Sequence, residues 1–231
     1  MNDMGNVRPL GIRCNHKIRE YSCCIYVGSV HARSLTRAHT CTVMYMSAGR
    51  FLHSPGHDCI CKSVRSGQYC MADTIASDTG PFLDLGVNLL DLNGYEMPIY
   101  SVDKENESGI HPLALKFRAQ LDAADGIIIS FAEHNGAYST AFKNIFDWIS
   151  RGGPNIWGNK PMFFLSTSPG ARGGQSVLEI AVGKIGRMTS GTIEHFSLPE
   201  FDKNFDNGIT DAELLAAFNE KVNAFVSKLN N

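Results

Sequence analysis

Two short, unbroken apolar runs constrain this chain most: Gly126-Ile127-Ile128-Ile129-Ser130-Phe131 and Pro161-Met162-Phe163-Phe164-Leu165-Ser166. A strand with one wet face alternates apolar and polar residues. A run without alternation suits a strand buried on both faces, as in a parallel sheet. Between the two lies a helical pattern from Ala137 to Arg151, with Ala141, Phe142, Ile145, Phe146 and Ile149 inward. After the second comes another helix, marked by Val177, Leu178, Ala181 and Ile185.

The same alternation extends both ways. Gln68–Ser77 reads as a helix and Gly86 to Leu92 as a strand, turned by Asn93-Gly94. Pro98 to Gly109 reads as a polar loop. Pro112 then opens a helix, where its missing N–H costs nothing. Leu113, Phe117 and Leu121 mark one face of that helix. Thr192 to Phe196 reads as a strand. Thr210-Asp211-Ala212-Glu213 reads as a capping box, with Thr210 and Glu213 satisfying orphan N–H groups. Leu214, Leu215, Phe218, Val222, Phe225 and Leu229 form the stripe of the last helix. The order αβαβαβαβα predicts an α/β fold with an open, doubly wound parallel sheet. A closed eight-stranded α/β barrel typically needs ~250 residues, more than the 231 present. One strand is missing at the front, so the first strand is uncertain.

A compositional break explains where it went. Residues 1–70 contain all seven cysteines, five of the eight histidines, nine Lys/Arg and three Asp/Glu, a charge of +6. The remaining residues have twelve basic and twenty acidic side chains, or −8, and the two sum to −2. We therefore divide the chain into an atypical Cys/His/Arg-rich head, residues 1–66, and a body, residues 67–231. The head lacks the C-x-x-C pairs of a zinc site, and seven cysteines without a secretory signal do not form a disulfide framework. It is basic like a transit segment but has no amphipathic stripe. Its composition reads as a disordered segment, or as one translated in a wrong frame or from a wrong start. The net charge gives no reason to expect nucleic acid. No apolar run approaches the ~18 residues of a membrane helix. Free cysteines and the lack of a signal lead us to expect a cytoplasmic protein.

In open α/β sheets ligands bind beyond the carboxyl ends of the strands. Two loops qualify. Ala132-Glu133-His134-Asn135-Gly136 follows the first run, and Thr167-Ser168-Pro169-Gly170-Ala171-Arg172-Gly173-Gly174 follows the second. Each leads to a helix N-terminus, whose N–H groups are unpaired and partly positive. Glycine lets a flat ligand approach the backbone. A planar, electron-accepting ring suits such a place, and so does a phosphate.

The segment ADGIIISFAEHNGAYSTAFKNIFDWISR, residues 124–151, closely resembles the signature of the NADPH-dependent FMN reductase family. That pattern is an apolar strand, Pro-Glu-Tyr-Asn-Gly, then a helix with Leu-Lys-Asn and Asp-Trp. Glu133, Asn135, Gly136, Lys143, Asn144, Asp147 and Trp148 match it. Ser168, Gly170, Gly173 and Gly174 match the family's Ser-x-Gly-x-x-Gly-Gly loop. The resemblance implies a flavodoxin-like sheet of order 2-1-3-4-5. It implies FMN, with NADPH or NADH as co-substrate, held by Ala132, Glu133, His134, Asn135, Gly136, Ser168, Pro169, Gly170, Gly173 and Gly174. It implies a homodimer or homotetramer, with the 143–148 helix at the interface or simply packed. The acceptor would be a small molecule: a quinone, azo compound, metal ion or free flavin. Because flavin carries the chemistry, no catalytic side chain and no metal ligand are assigned.

Two departures stand out. Ala132 and His134 replace the family's proline and tyrosine, and the His134 ring can still stack on a flat ligand. The phosphate loop, Gly-Ser-x-Arg-x-x-Ser-x-Asn, has its nearest match at Gly28, Ser29 and Ser34, some thirty residues too far from the next strand. His31 and Thr36 stand where arginine and asparagine belong. By spacing the loop falls near His53 to Asp58, where no such pattern appears. The alternative reading is a flavodoxin-like module that has weakened or lost FMN binding and is non-catalytic or incomplete.

Overall fold

The computed structural model describes the backbone of residues 24–27 and 40–45, and residues 86–206 and 208–229. The expected helix at 68–77, the Gly28–Thr36 match and His53 to Asp58 lie outside these. Six strands form one sheet: β1 (Cys24–Val27), β2 (Thr40–Tyr45), β3 (Gly86–Asp91), β4 (Gly126–Phe131), β7 (Met162–Thr167) and β8 (Ile193–Leu198). A separate hairpin pairs β5 (Glu133–His134) with β6 (Ala137–Tyr138).

The sheet order is β3-β2-β1-β4-β7-β8, with β2 paired to β4 as well. β2 runs parallel to β3, Thr40 opposite Gly86 and Tyr45 opposite Asp91. It is also parallel to β4, with Cys41 to Met44 opposite Gly126 to Ile129. β1 is antiparallel to both, Ile25 standing opposite Met44 on β2 and Ile129 on β4. A strand has two hydrogen-bonding edges, and β7 takes one edge of β4. The parallel strands alone run β3-β2-β4-β7-β8, which numbered along the chain is 2-1-3-4-5. Thr40–Tyr45 thus stands in the place of the missing first strand, within the segment read as the head.

The two apolar runs are buried along their whole length, from Gly126 to Phe131 and from Met162 to Thr167. Their residues pack on both sides. Phe131 meets Phe142 and Phe164 edge to face, and Phe163 stacks on Phe225. The helices are α1 (Val102–Ser108), α2 (Pro112–Ala123), α3 (Thr140–Ile149), α4 (Gln175–Ile185), α5 (Phe201–Asn204) and α6 (Ala212–Leu229). Among the described residues no helix is long and apolar enough to cross a membrane.

Several boundaries differ from expectation, each for a local reason. α1 lies inside the expected polar loop, capped by the Ser101 hydroxyl on Lys104 N–H, and it buries no residue. Asn93-Gly94 belongs to a 3₁₀ turn, Leu92–Tyr95, capped by Asp91. α3 starts at Thr140 because Ala137-Tyr138 is drawn into the hairpin and Ser139 caps the helix. α2 buries Ala114 with Phe117 and Leu121, leaving Leu113 half-covered. At α6 the cap is Asp211, whose Oδ1 accepts from Glu213 and Leu214 N–H. The expected Thr210–Glu213 box is not formed. Leu215 is 40% exposed, while Phe218, Val222, Phe225 and Leu229 carry the contact.

Candidate functional site

Both candidate loops leave neighbouring parallel strands at the same edge of the sheet. The first is a two-residue hairpin. Asn135 and Gly136 have φ of 52° and 75°, the pair of positive angles that a type I′ turn needs and that Asn-Gly supplies. Glu133 pairs with Tyr138 and His134 with Ala137. Cross-strand partners share a face, so Glu133 and Tyr138 lie on one side and His134 and Ala137 on the other. The first side is covered: α4 packs against β6, and Tyr138 packs on Phe131 and Phe142. The second is open, with His134, Asn135 and Ala137 exposed. Burial pushes the Tyr138 hydroxyl up to about 12, and no protein atom among the described residues bonds it. Ala132 is fully buried at the strand end.

The second loop is held by the next strand. Gly170 carbonyl accepts from Gly173 and Glu200 N–H at 3.1 and 3.0 Å, and Ser168 carbonyl from Phe201 N–H at 3.0 Å. The Ser197 hydroxyl donates to Gly173 carbonyl at 2.9 Å. Gly173 and Gly174 have φ of 56° and 76°. A Cβ on Gly173 would stand 2.7 Å from the Leu198 carbonyl oxygen, and one on Gly174 3.0 Å from Ser166 Cβ. The chain itself therefore fills the space beside these two buried glycines. This close packing by itself accounts for glycine at both positions. Gly170 and Gly136 are different. Among the described residues, a Cβ on Gly170 would meet only the Ser168 hydroxyl, at 3.8 Å, and one on Gly136 nothing within 4 Å. Ser168 is half-covered, and Pro169 and Gly170 are exposed.

The start of α4 also departs from expectation. Its N-cap is Gly174, which has no side chain to cap with. Glu133 supplies the acceptor instead, taking Val177 N–H on Oε2 at 3.0 Å. A carboxylate thus takes one of the N–H groups at this helix end.

The remaining motif residues form a clasp away from the loops. Asn144 donates to Met97 and Pro98 carbonyls at 3.1 and 3.2 Å and accepts from Tyr100 N–H at 2.9 Å. Trp148 Nε1 donates to Pro98 carbonyl at 2.8 Å. Trp148 is 2% exposed, so packing accounts for it. Lys143 and Asp147 form an exposed i,i+4 ion pair at 2.7 Å. Sequence reasoning missed the group beside the clasp. Glu105 accepts from the Tyr100 hydroxyl at 2.7 Å and from Arg151 at 2.8 Å. These bonds hold the Glu105 carboxyl below its ordinary value. The only signal was Ser101 with acidic residues behind it, the mark of a helix start.

The candidate site is thus two loops on adjacent parallel strands, each with one glycine whose Cβ position is uncrowded by the described residues. Comparison with known proteins addresses the family and the fold. The chain is 36% identical over 80 residues to an Arabidopsis thaliana NADPH:quinone oxidoreductase, covering 35% of this chain and 40% of that protein. It is 35% identical over 91 residues to a Burkholderia 2-hydroxy-1,4-benzoquinone reductase, covering 39% and 48%. It is 31% identical over 111 residues to a Pseudomonas aeruginosa NAD(P)H-dependent FMN reductase, covering 48% and 58%. The chain thus spans about half the length of these curated relatives. A solved structure of FerB, a flavoenzyme NAD(P)H:(acceptor) oxidoreductase from Paracoccus denitrificans, superposes with a TM-score of 0.53 at 20% identity, over 73% of this chain and 93% of that one. That likeness speaks for the flavodoxin-like fold. The NADPH-dependent FMN reductase family model matches residues 61–200. That is more than half the chain, and the protein belongs to this family of FMN- and NADPH-using oxidoreductases.

Proposed function

We propose that this protein is an NAD(P)H-dependent FMN oxidoreductase that reduces a small-molecule acceptor: a quinone, azo compound, metal ion or free flavin. The observation that carries the reading is the pair of open glycines, Gly136 and Gly170, on loops leaving adjacent parallel strands. A planar ring fits where backbone can be reached without side chains in the way. Ala132 to Gly136 would line the ring, with His134 on the open side of the hairpin. Ser168, Pro169 and Gly170 would meet its polar edge. Gly173 and Gly174 would act one step back, by letting the loop lie against β8. When bound, FMN takes hydride from NAD(P)H and passes the electrons on. The chain's part is to bind, orient and leave one face of the ring open.

Residues 67–231, completed by Thr40–Tyr45, would form the catalytic domain. Ile99 and Val102 are 70% and 60% exposed, and this apolar pair beside the clasp supports a homodimer. The setting would be cytoplasmic.

The test is titration of the full chain with FMN, followed by absorbance and fluorescence, then addition of NADPH or NADH without oxygen. One FMN per chain that bleaches with either nucleotide is the expected result. Binding without bleaching would make the protein an electron carrier. A folded chain that binds no FMN would favour the module with a lost phosphate site.

A further inference from the structure

The first four N–H groups of any α-helix have no partner within the helix. A side chain at the N-cap usually satisfies one of them. α4 begins at Gly174, which cannot do this, and its Val177 N–H is taken by a residue 44 positions earlier, on the other loop. The acceptor is a carboxylate, so the bond is charge-assisted and also faces the positive end of the helix dipole. Glu133 has little freedom to give this bond up. Its backbone is fixed by the hairpin pairing with Tyr138. Tyr138 is fixed in turn by the rings of Phe131 and Phe142, at 5.7 and 4.9 Å.

The geometry points to Glu133 as a positioning residue: its carboxylate latches the 133–138 hairpin to α4, so that the two loops move as one rim. The proposal rests on the FMN reading only for its consequence. A ring held by both loops is bound more tightly when their spacing is set beforehand. The latch itself is a property of the chain without cofactor.

Amide hydrogen exchange on the cofactor-free full chain tests it, using E133A and E133Q. Glutamine keeps an oxygen for Val177 N–H; alanine does not. In E133A, exchange at Val177 should rise at least tenfold, and the amides of Gly173 and Gln175 in the second loop should follow. E133Q should stay within about threefold of the parent. Unchanged exchange in E133A, or equal loss in both variants, overturns the latch. FMN affinity is then measured on the same proteins. A drop of about tenfold in E133A, restored by E133Q, is expected. Faster exchange with unchanged FMN affinity would overturn the coupling between loops. A parent chain that binds no FMN at all would instead defeat the functional reading, and the exchange result would still decide the latch.

Discussion

The two loops at the rim are built in opposite ways. The first is specified locally: Asn135-Gly136 closes a hairpin whose strands are two residues each. The second is specified from afar. Its conformation depends on Ser197, Leu198, Glu200 and Phe201 of the neighbouring strand and the segment after it. Glycine serves both, but for different reasons. At Gly136 it relieves a backbone angle in open space. At Gly173 it relieves both an angle and a collision. A glycine in a loop therefore says little about a ligand until the space beside it is known.

The sharpest test of that contrast is the same substitution in each loop. G173A places a Cβ 2.7 Å from the Leu198 carbonyl oxygen at a φ of 56°. It should cost about 3 kcal/mol or more, as overpacking and backbone strain add. G136A meets no atom of the described residues within 4 Å and should cost only the left-handed angle, about 1–2 kcal/mol. Urea unfolding of both variants checks this, and equal losses would erase the distinction. S197A comes next. It removes the 2.9 Å bond to Gly173 carbonyl and should lower stability by about 1 kcal/mol. Exchange should rise at Gly173 but not at the 133–138 hairpin.

The smallest effect lies outside both loops and serves as a reference for them. Glu105 has its carboxyl held below the ordinary value of 4.5 by Tyr100 and then Arg151. The folded state thus binds its proton less readily than the unfolded state. Its stabilisation is complete above the ordinary value and is lost as pH falls through the lowered one. The thermal midpoint should fall on acidification across that window, and E105Q should flatten this part of the profile. Loop-specific exchange should not change with it.

The hydrophobic pattern made most of the fold legible. β4 and β7 are continuous apolar runs and stand in the middle of the sheet, and Val177, Leu178, Ala181 and Ile185 are all buried as their spacing implies. What escaped was structure without an apolar signature. Thr-Cys-Thr-Val-Met-Tyr, residues 40–45, carries no such run, yet it pairs with both β3 and β4. Val102–Ser108 is mostly polar and packs no side chain into the core, so only its Ser101 cap could have announced it. The candidate site was legible as two loops, because strand ends and glycines are local features. Which glycine is crowded was not, because that depends on contacts beyond the loop: Ser197 and Leu198 beside Gly173, Ser166 and Thr167 beside Gly174. The Glu133 cap on α4 was hidden for the same reason.

The clasp on α3 has a consequence for how this surface can vary. Each of its hydrogen bonds to residues 97–100 grips the main chain: the carbonyls of Met97 and Pro98 and the amide of Tyr100. Lys104 holds the Ile99 carbonyl in the same manner. None reads the side chain at position 99, which projects 70% exposed. The fold therefore leaves that position free to be rewritten. Whatever chemistry a neighbouring molecule asks of this patch can be met by substitution at Ile99 without unfastening the segment that displays it.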